Sequence, residues 1–210
     1  MIHGDLPWHA LSERSAATLR AAIKAARQLF GRREYANVSV AEVVSRATRS
    51  KGAIYNQFED KKHLLRAVVD QIEGEVAVEI RGRIEDVDDP IDQLVAGCNV
   101  FLDRCVNDPI ARRVVILDAP AVLGWQELRA IDSRHGLGII VELLERGMAA
   151  GRIRPQPADV LAQLFLAAAI EAAMLIASAK NPASERKRVA GPLFEWLTSL
   201  RVTRGGGKGT

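Results

Sequence analysis

The residues of this 210-residue chain that could do chemistry together are polar and basic rather than nucleophilic, and they crowd into the stretch 38–65. Arg49, Ser50 and Lys51 stand at the start of a short helical pattern, where free backbone N–H groups and the helix dipole also attract phosphate. Tyr55, Asn56 and Gln57 can offer hydrogen bonds to bases or phosphates, and Ala53 is small enough to let the helix reach base edges and touch a thymine methyl. Gly52 is costly inside a helix, a cost that close approach of the backbone to DNA would explain. Lys61 and Lys62 begin the next helix, where a backbone phosphate is the expected partner. The chemistry these residue types point to is recognition of double-stranded DNA rather than bond-making.

Helix signals position these residues. Ser39-Val40-Ala41-Glu42 reads as a capping box, with Val40, Val43 and Val44 on the inward face. A tight break follows at Ala47-Thr48-Arg49, and Ser50 caps a second short helix whose buried side is Ile54 and Phe58. Two short capped helices around a tight turn make a helix-turn-helix, in which the second helix enters the major groove and the first crosses the backbone. Before it, Leu19, Ile23, Ala26, Leu29 and Phe30 recur at helical spacing after Ser12 and Ser15. After it, Asp60 caps a long helix carrying Leu64, Leu65, Val68, Val69, Ile72, Val76 and Ile80.

Further along, Asp89-Pro90, Asp108-Pro109 and Asn181-Pro182 each place proline at a first helical position, where its missing N–H costs nothing. The second of these starts a helix expected over 110–118, followed by a break at 119–124. One long helix is expected over 125–150, weakened at Gly136 and Gly138 and stopped at Gly151. The last runs to about Leu200, and Gly191-Pro192 should kink or split it. The pattern predicts an all-α chain of about nine helices. Residues 1–60 would form a DNA-binding domain with a flexible start over 1–12, residues 61–203 a larger helical domain, and 204–210 a disordered tail.

Composition narrows the alternatives. The formal charge is +3, yet residues 1–66 hold 12 Lys/Arg against 6 Asp/Glu, so only the first part is built to meet a polyanion. Cys98 and Cys105 fit one apolar helical face and read as buried, reduced thiols in a cytoplasmic protein. His3, His9, His63 and His135 are scattered, so neither a metal nor a cofactor is expected. Val160–Ala179 is long enough to cross a bilayer, but Gln163 and Glu171 interrupt it, and a helix buried on both sides fits equally well. No membrane partner is expected. Gly136-Leu137-Gly138 and the tail GGGKGT lack the strand and helix of a phosphate-binding loop, so an enzyme is not expected.

The run from Leu19 to Leu65 resembles the DNA-binding region of the TetR family of bacterial transcriptional regulators. The matching residues are Ala25-Ala26-Arg27-Gln28-Leu29-Phe30, Tyr35, Ser39 to Val44, and above all Ser50 to Leu65. That last block keeps the order Lys-Gly-x-aliphatic-Tyr-x-x-Phe-x-x-Lys-x-x-Leu-Leu. The resemblance implies that Ser39 contacts a phosphate, that Lys51, Ala53, Tyr55 and Asn56 face the groove, and that Lys61 binds backbone. The family usually has glycine where this chain has Glu34 and Thr48, and a small apolar residue where it has Arg49, which could make an extra DNA contact.

The resemblance further implies a homodimer, a palindromic operator and a small-molecule effector that releases the DNA, with repression as the expected role. The sequence points to dimerisation by itself: Leu161, Phe165, Ala168, Ala172, Leu175 and Ile176 share a face, and Phe194, Trp196 and Leu197 on the last helix can complete an interface. Polar or bulky residues that could line an effector pocket are Phe101, Cys105, Trp125, Arg129, His135, Glu142, Glu171 and Met174. Glu171 stands out because a carboxylate amid so much alanine needs a partner, whether ligand, arginine or solvent. The alternative is a dimeric helical small-molecule-binding protein that does not bind DNA.

Overall fold

The computed structural model describes residues 13–47, 52, 54, 55, 58 and 60–202. The expected tail at 204–210 and the expected flexible start at 1–12 lie outside the described residues. So do Thr48, Arg49, Ser50, Lys51, Ala53, Asn56 and Gln57.

Among the described residues the chain is all-α; its only extended pairing there is an isolated antiparallel bridge between Ile153 and Arg201. Helix α1 spans Glu13–Arg32 and buries Leu19, Ile23, Ala26, Leu29 and Phe30, the face its spacing predicts. Helix α2 spans Val40–Ala47 and buries Val43 and Val44. The Ser39 hydroxyl accepts from the Glu42 N–H at 3.2 Å, half of a capping box. The reciprocal half gives way to ion pairs, because the Glu42 carboxylate meets Arg33 and, at 3.5 Å, Arg46. Glu34, where the family favours glycine, takes φ −56° and ψ 142°, a conformation open to any residue. Gly52, Ile54 and Tyr55 are helical, with Ile54 and Phe58 buried as expected.

Helix α3 spans Lys61–Ile84, capped by the Asp60 carboxylate accepting from the His63 N–H at 2.8 Å. At 1.5 Å per residue its 24 residues reach about 36 Å. Helix α4, Pro90–Asn107, starts on Asp89. Helix α5 occupies 109–123: one α-turn at Pro109–Ala111 capped by Asp108, a π-helical stretch Arg112–Asp118, and α-helix again over Ala119–Leu123. It therefore runs on through the expected break at 119, the wider π turns absorbing the irregularity.

The single helix expected over 125–150 is two, α6 at Trp125–Arg134 and α7 at Gly136–Ala149, parted at His135. The break lets the His135 ring reach Asp70 of α3 at 3.0 Å while Arg134 meets the same carboxylate at 2.7 Å. Gly151 then stops the chain with φ +66°, where glycine pays no Cβ penalty. Helix α8 is Ala158–Ser178 and α9 is Pro182–Ser199. Pro192 lies inside α9 without splitting it. Both Pro192 and Arg188 are exposed, so water can satisfy the carbonyl that proline's missing N–H leaves free.

Two cores meet along α3. The first gathers α1, α2, Ile54, Phe58 and the α3 residues Leu64 to Val76, and continues past residue 60 into Ala111, Val114, Ala119, Leu123 and Ile131. The second holds Ala77 and Ile84 of α3 with α4, α7, α8 and α9. Charged ties add to this: Lys62 pairs with Glu127 at 2.5 Å, and Glu75 of α3 takes Arg27 of α1 at 2.6 Å and Arg104 of α4 at 3.1 Å.

Helix α8 is long and apolar enough to cross a membrane, and it is buried on one side only. Leu161, Ala162, Phe165, Ala169, Ala172, Ala173 and Ile176 pack inward, while Val160, Leu164 and Leu175 remain exposed. The expectation of burial on both sides therefore fails within a single chain.

Candidate nucleic-acid interface and effector cavity

The head presents a polar surface on an apolar anchor. Ile54 and Phe58 are fully seated in the core, which turns Tyr55 outward, 49% exposed. A Cβ added at Gly52 would meet nothing within 4 Å. Packing among the described residues therefore gives no reason for glycine there. Ser39 is exposed at the start of α2, on the helix that a helix-turn-helix lays across the DNA backbone.

Lys61 and Lys62 differ from expectation. Lys61 Nζ donates to the carbonyls of Tyr35 at 2.8 Å and Ala36 at 3.3 Å, and lies 4.2 Å from the centre of the Tyr35 ring. Two of its three donors therefore hold the short 3-10 turn Tyr35–Asn37 against α3. Lys62 is engaged with Glu127. Neither is a free cation waiting for phosphate.

The second feature is a hollow of about 70 Å³ between α3, α4, α6, α7 and α8. Its wall is apolar apart from Glu73, Gln93, Cys98 and Asp132. The Glu73 carboxyl is pushed up to about 8 by burial first, then by the negative charges of Asp132 and Asp70. Glu73 keeps some accessible surface, as a residue lining a hollow does, yet no cation offsets its desolvation. Asp132 is raised to about 6 by burial, which the nearby positive Arg129 and His135 only partly offset. Gln93, 5% exposed, donates its amide to the Ile84 carbonyl at 2.9 Å and leaves its side-chain oxygen without a partner. Burial pushes the thiols of Cys98 and Cys105 up to about 12, so both stay protonated and unreactive.

Comparison with known proteins decides what this arrangement belongs to. Residues 22–68 match the bacterial regulatory proteins of the tetR family, and residues 91–200, just over half of the chain, match the tetracyclin repressor-like C-terminal domain. The chain belongs to the TetR family. It is 26% identical over 149 residues to the TetC protein of transposon Tn10 from Escherichia coli, covering 71% of this chain and 75% of that one. It is 24% identical over 172 residues to the A-factor receptor protein of Streptomyces griseus, covering 80% of this chain and 58% of the receptor. The structure superposes on a TetR-family transcriptional regulator from Pectobacterium atrosepticum with a TM-score of 0.78 and 26% identity, covering 92% of this chain and 98% of that one. It is thus a TetR-family transcriptional regulator, with a DNA-binding helix-turn-helix head and a helical C-terminal domain.

Of the residues expected to line an effector pocket in this TetR-family chain, the hollow includes Phe101 alone. Cys105 is buried in the second core and Met174 packs against it. Trp125 is 59% exposed under the Arg129 guanidinium, and Arg129 also donates to Gln163 at 2.6 Å. His135 is bonded to Asp70, and Glu142 faces Arg81 at 3.7 Å. Glu171 is exposed, so solvent is the partner its charge needed. The polar residues that sequence reasoning missed are Glu73, Gln93, Cys98 and Asp132. Glu73 carried a signal, since Val69, Val76 and Ala77, four residues before and three and four after it, put it on the apolar side of α3.

The expected dimer face also needs correction. Leu161, Phe165, Ala172, Ile176 and Leu197 are buried within their own chain, so they cannot touch a partner without unpacking the core. Ala168 and Phe194 are half-buried. Leu175 is exposed as expected, alongside Val160, Leu164 and Trp196.

Proposed function

We propose that this TetR-family chain acts as a cytoplasmic homodimeric repressor that holds a palindromic operator and is released by a small molecule lodged in the hollow beside α3. The observation that carries the reading is the head's anchored polarity: Ile54 and Phe58 locked inward, Tyr55 turned outward, and Gly52 open to an approaching surface. Ser39, Arg49, Ser50, Lys51, Ala53 and Asn56 would complete the contact set, with Asn56 as the base reader.

One short helix reads too few base pairs, so a twofold pair of heads is required. Val160, Leu164 and Leu175 of α8 with Trp196 of α9 supply the exposed apolar patch from which the pair would be built. The hollow supplies the effector site: it sits where α3 leaves the first core for the second, so a molecule that parts α3 from α7 would tilt the head. Such a ligand acts only by favouring the geometry that does not fit DNA, with a typical coupling of about 1–3 kcal/mol.

Gel shifts on the chain's own promoter DNA at two salt concentrations test the reading. Specific retention that weakens steeply with salt is expected. No retention would favour the DNA-free receptor instead, and retention indifferent to sequence would remove the operator from the reading.

A further inference from the structure

The hollow continues outward. Gln93, Ile139 and Leu143 line it and also line a surface cleft of about 510 Å³. The two spaces follow one another along both flanking helices. Helix α3 gives Glu73, Val76 and Ile80 to the hollow, then Arg81, Ile84 and Glu85 to the cleft. Helix α7 gives Gly136 and Ile140 to the hollow, then Glu142 and Arg146 to the cleft. From Glu73 to Ile84, and from Gly136 to Arg146, each helix rises about 15–17 Å. One groove therefore runs between them, walled in by α4 and α8 at its inner end and open to solvent at its outer end. The hollow alone, at about 70 Å³, is smaller than the roughly 300–1,000 Å³ of small-molecule sites, and the two spaces together fall within that range.

We propose that hollow and cleft are two ends of one site, and that the effector is a slender amphiphile: an unbranched alkyl chain in the hollow carrying an uncharged, hydrogen-bonding head in the cleft. This rests on the hollow being the effector site. From Glu73 to Ile80 the hollow runs along about 10 Å of α3. Its volume is roughly half the 150 Å³ of a cavity that holds benzene, so over that length it suits a single chain rather than a ring. The wall between the two ends, including Val76, Ile80, Phe101, Ile139 and Phe165, is apolar.

The polar groups stand where such a molecule needs them. Gln93, 5% exposed at the neck between the two spaces, has its side-chain oxygen unpartnered. That oxygen costs free energy until a donor arrives, so the first hydroxyl of the head belongs there. In the cleft a head of either charge would meet groups of its own sign: Arg81 and Arg146, or Glu85, Asp88 and Glu142. Hydroxyls both donate and accept, so they can use all of these. Among the described residues no arginine, lysine or histidine lines the hollow, so the buried end is not a carboxylate. Glu73 and Asp132 face each other at the inner end, and that polar wall limits the length of chain the hollow takes.

The test is calorimetry of the full-length protein with n-hexyl, n-octyl and n-dodecyl β-glucosides below their micelle concentrations, beside octanoate and octylamine. Affinity should rise about three- to fourfold per methylene from hexyl to octyl and level off by dodecyl. Octyl glucoside should bind at least about tenfold more tightly than either charged analogue. Ala77→Leu, which fills the hollow, should abolish the dependence on chain length while keeping the circular dichroism of the parent. Arg146→Glu, on the exposed rim, should weaken every glucoside and leave the hexyl-to-octyl ratio unchanged, so the test stands even where Ala77→Leu does not fold. No glucoside binding, affinity that climbs undiminished through dodecyl, equal binding of a charged analogue, or an unchanged chain dependence in folded Ala77→Leu would overturn the proposal. Gel shifts separate the two readings. Octyl glucoside that binds in this way yet leaves DNA bound keeps the amphiphile site and removes its effector role. Octanoate or octylamine that binds as tightly and frees DNA keeps effector release and removes the uncharged amphiphile.

Discussion

At the scale of the residue, Glu73 governs the electrostatics of the hollow. Its carboxyl ordinarily ionises near 4.5 and is held protonated up to about 8 in the fold. Between those values the folded chain binds a proton that the unfolded chain has lost, so stability falls as pH rises through the window and is flat on either side. Glu73→Gln removes that dependence. Its denaturation midpoint should match the parent near pH 4 and exceed it at pH 8, by about 1 kcal/mol or more; a constant offset across the range would contradict the assignment. Asp132, raised to about 6, should add a smaller slope of the same sign that survives in the variant. Sequence reading missed Asp132 because nothing local distinguishes it from a solvent-facing carboxylate, and missed Glu73 although the apolar Val69, Val76 and Ala77 share its side of α3. Their burial follows from helices remote in sequence closing over them.

At the scale of the element, what was legible was what the chain writes locally. Asp60, Asp89, Asp108 and Asn181 cap the helices their positions announced, because an N-cap needs only its own next three residues. The helix-turn-helix was legible for the same reason, from Ser39 and the buried pair Ile54 and Phe58. The break at His135 was legible only as a weakness at Gly136 and Gly138; the contact with Asp70 that the break permits was not, because Asp70 lies sixty-five residues away. Likewise the inward face of α8 could not be told from its outward face, since Val160, Leu164 and Leu175 on the outside are as apolar as the residues packed inside. Lys61 shows the same limit: a cation at a helix start reads as a phosphate ligand until Tyr35 and Ala36 are seen to claim it. Lys61→Met should therefore destabilise the fold by about 1–2 kcal/mol, read by thermal denaturation, while leaving the salt slope of DNA binding nearly unchanged. A slope reduced by about one, with no loss of stability, would return Lys61 to the phosphate backbone.

At the scale of the whole molecule, α3 is the part that could make one machine of two cores, because the same helix supplies Leu64 to the head and Glu73, Val76 and Ile80 to the hollow. Dimerisation would multiply that leverage by fixing one head relative to the other. The exposed patch on α8 and α9 gives the test: Leu164→Glu with Leu175→Glu should yield a folded monomer by light scattering and reduce operator affinity at least about a hundredfold, because each head would then bind alone. A variant that remains dimeric would move the interface elsewhere. The central claim, that paired heads read a palindrome, is tested most directly by selecting bound duplexes from a random-sequence library with the purified protein and sequencing them. The account predicts enrichment of an inverted repeat whose half-sites lie about one helical turn, or a multiple of it, apart, with one position relaxed in Asn56→Ala. Enrichment of a single unrepeated motif, or of none, would contradict it.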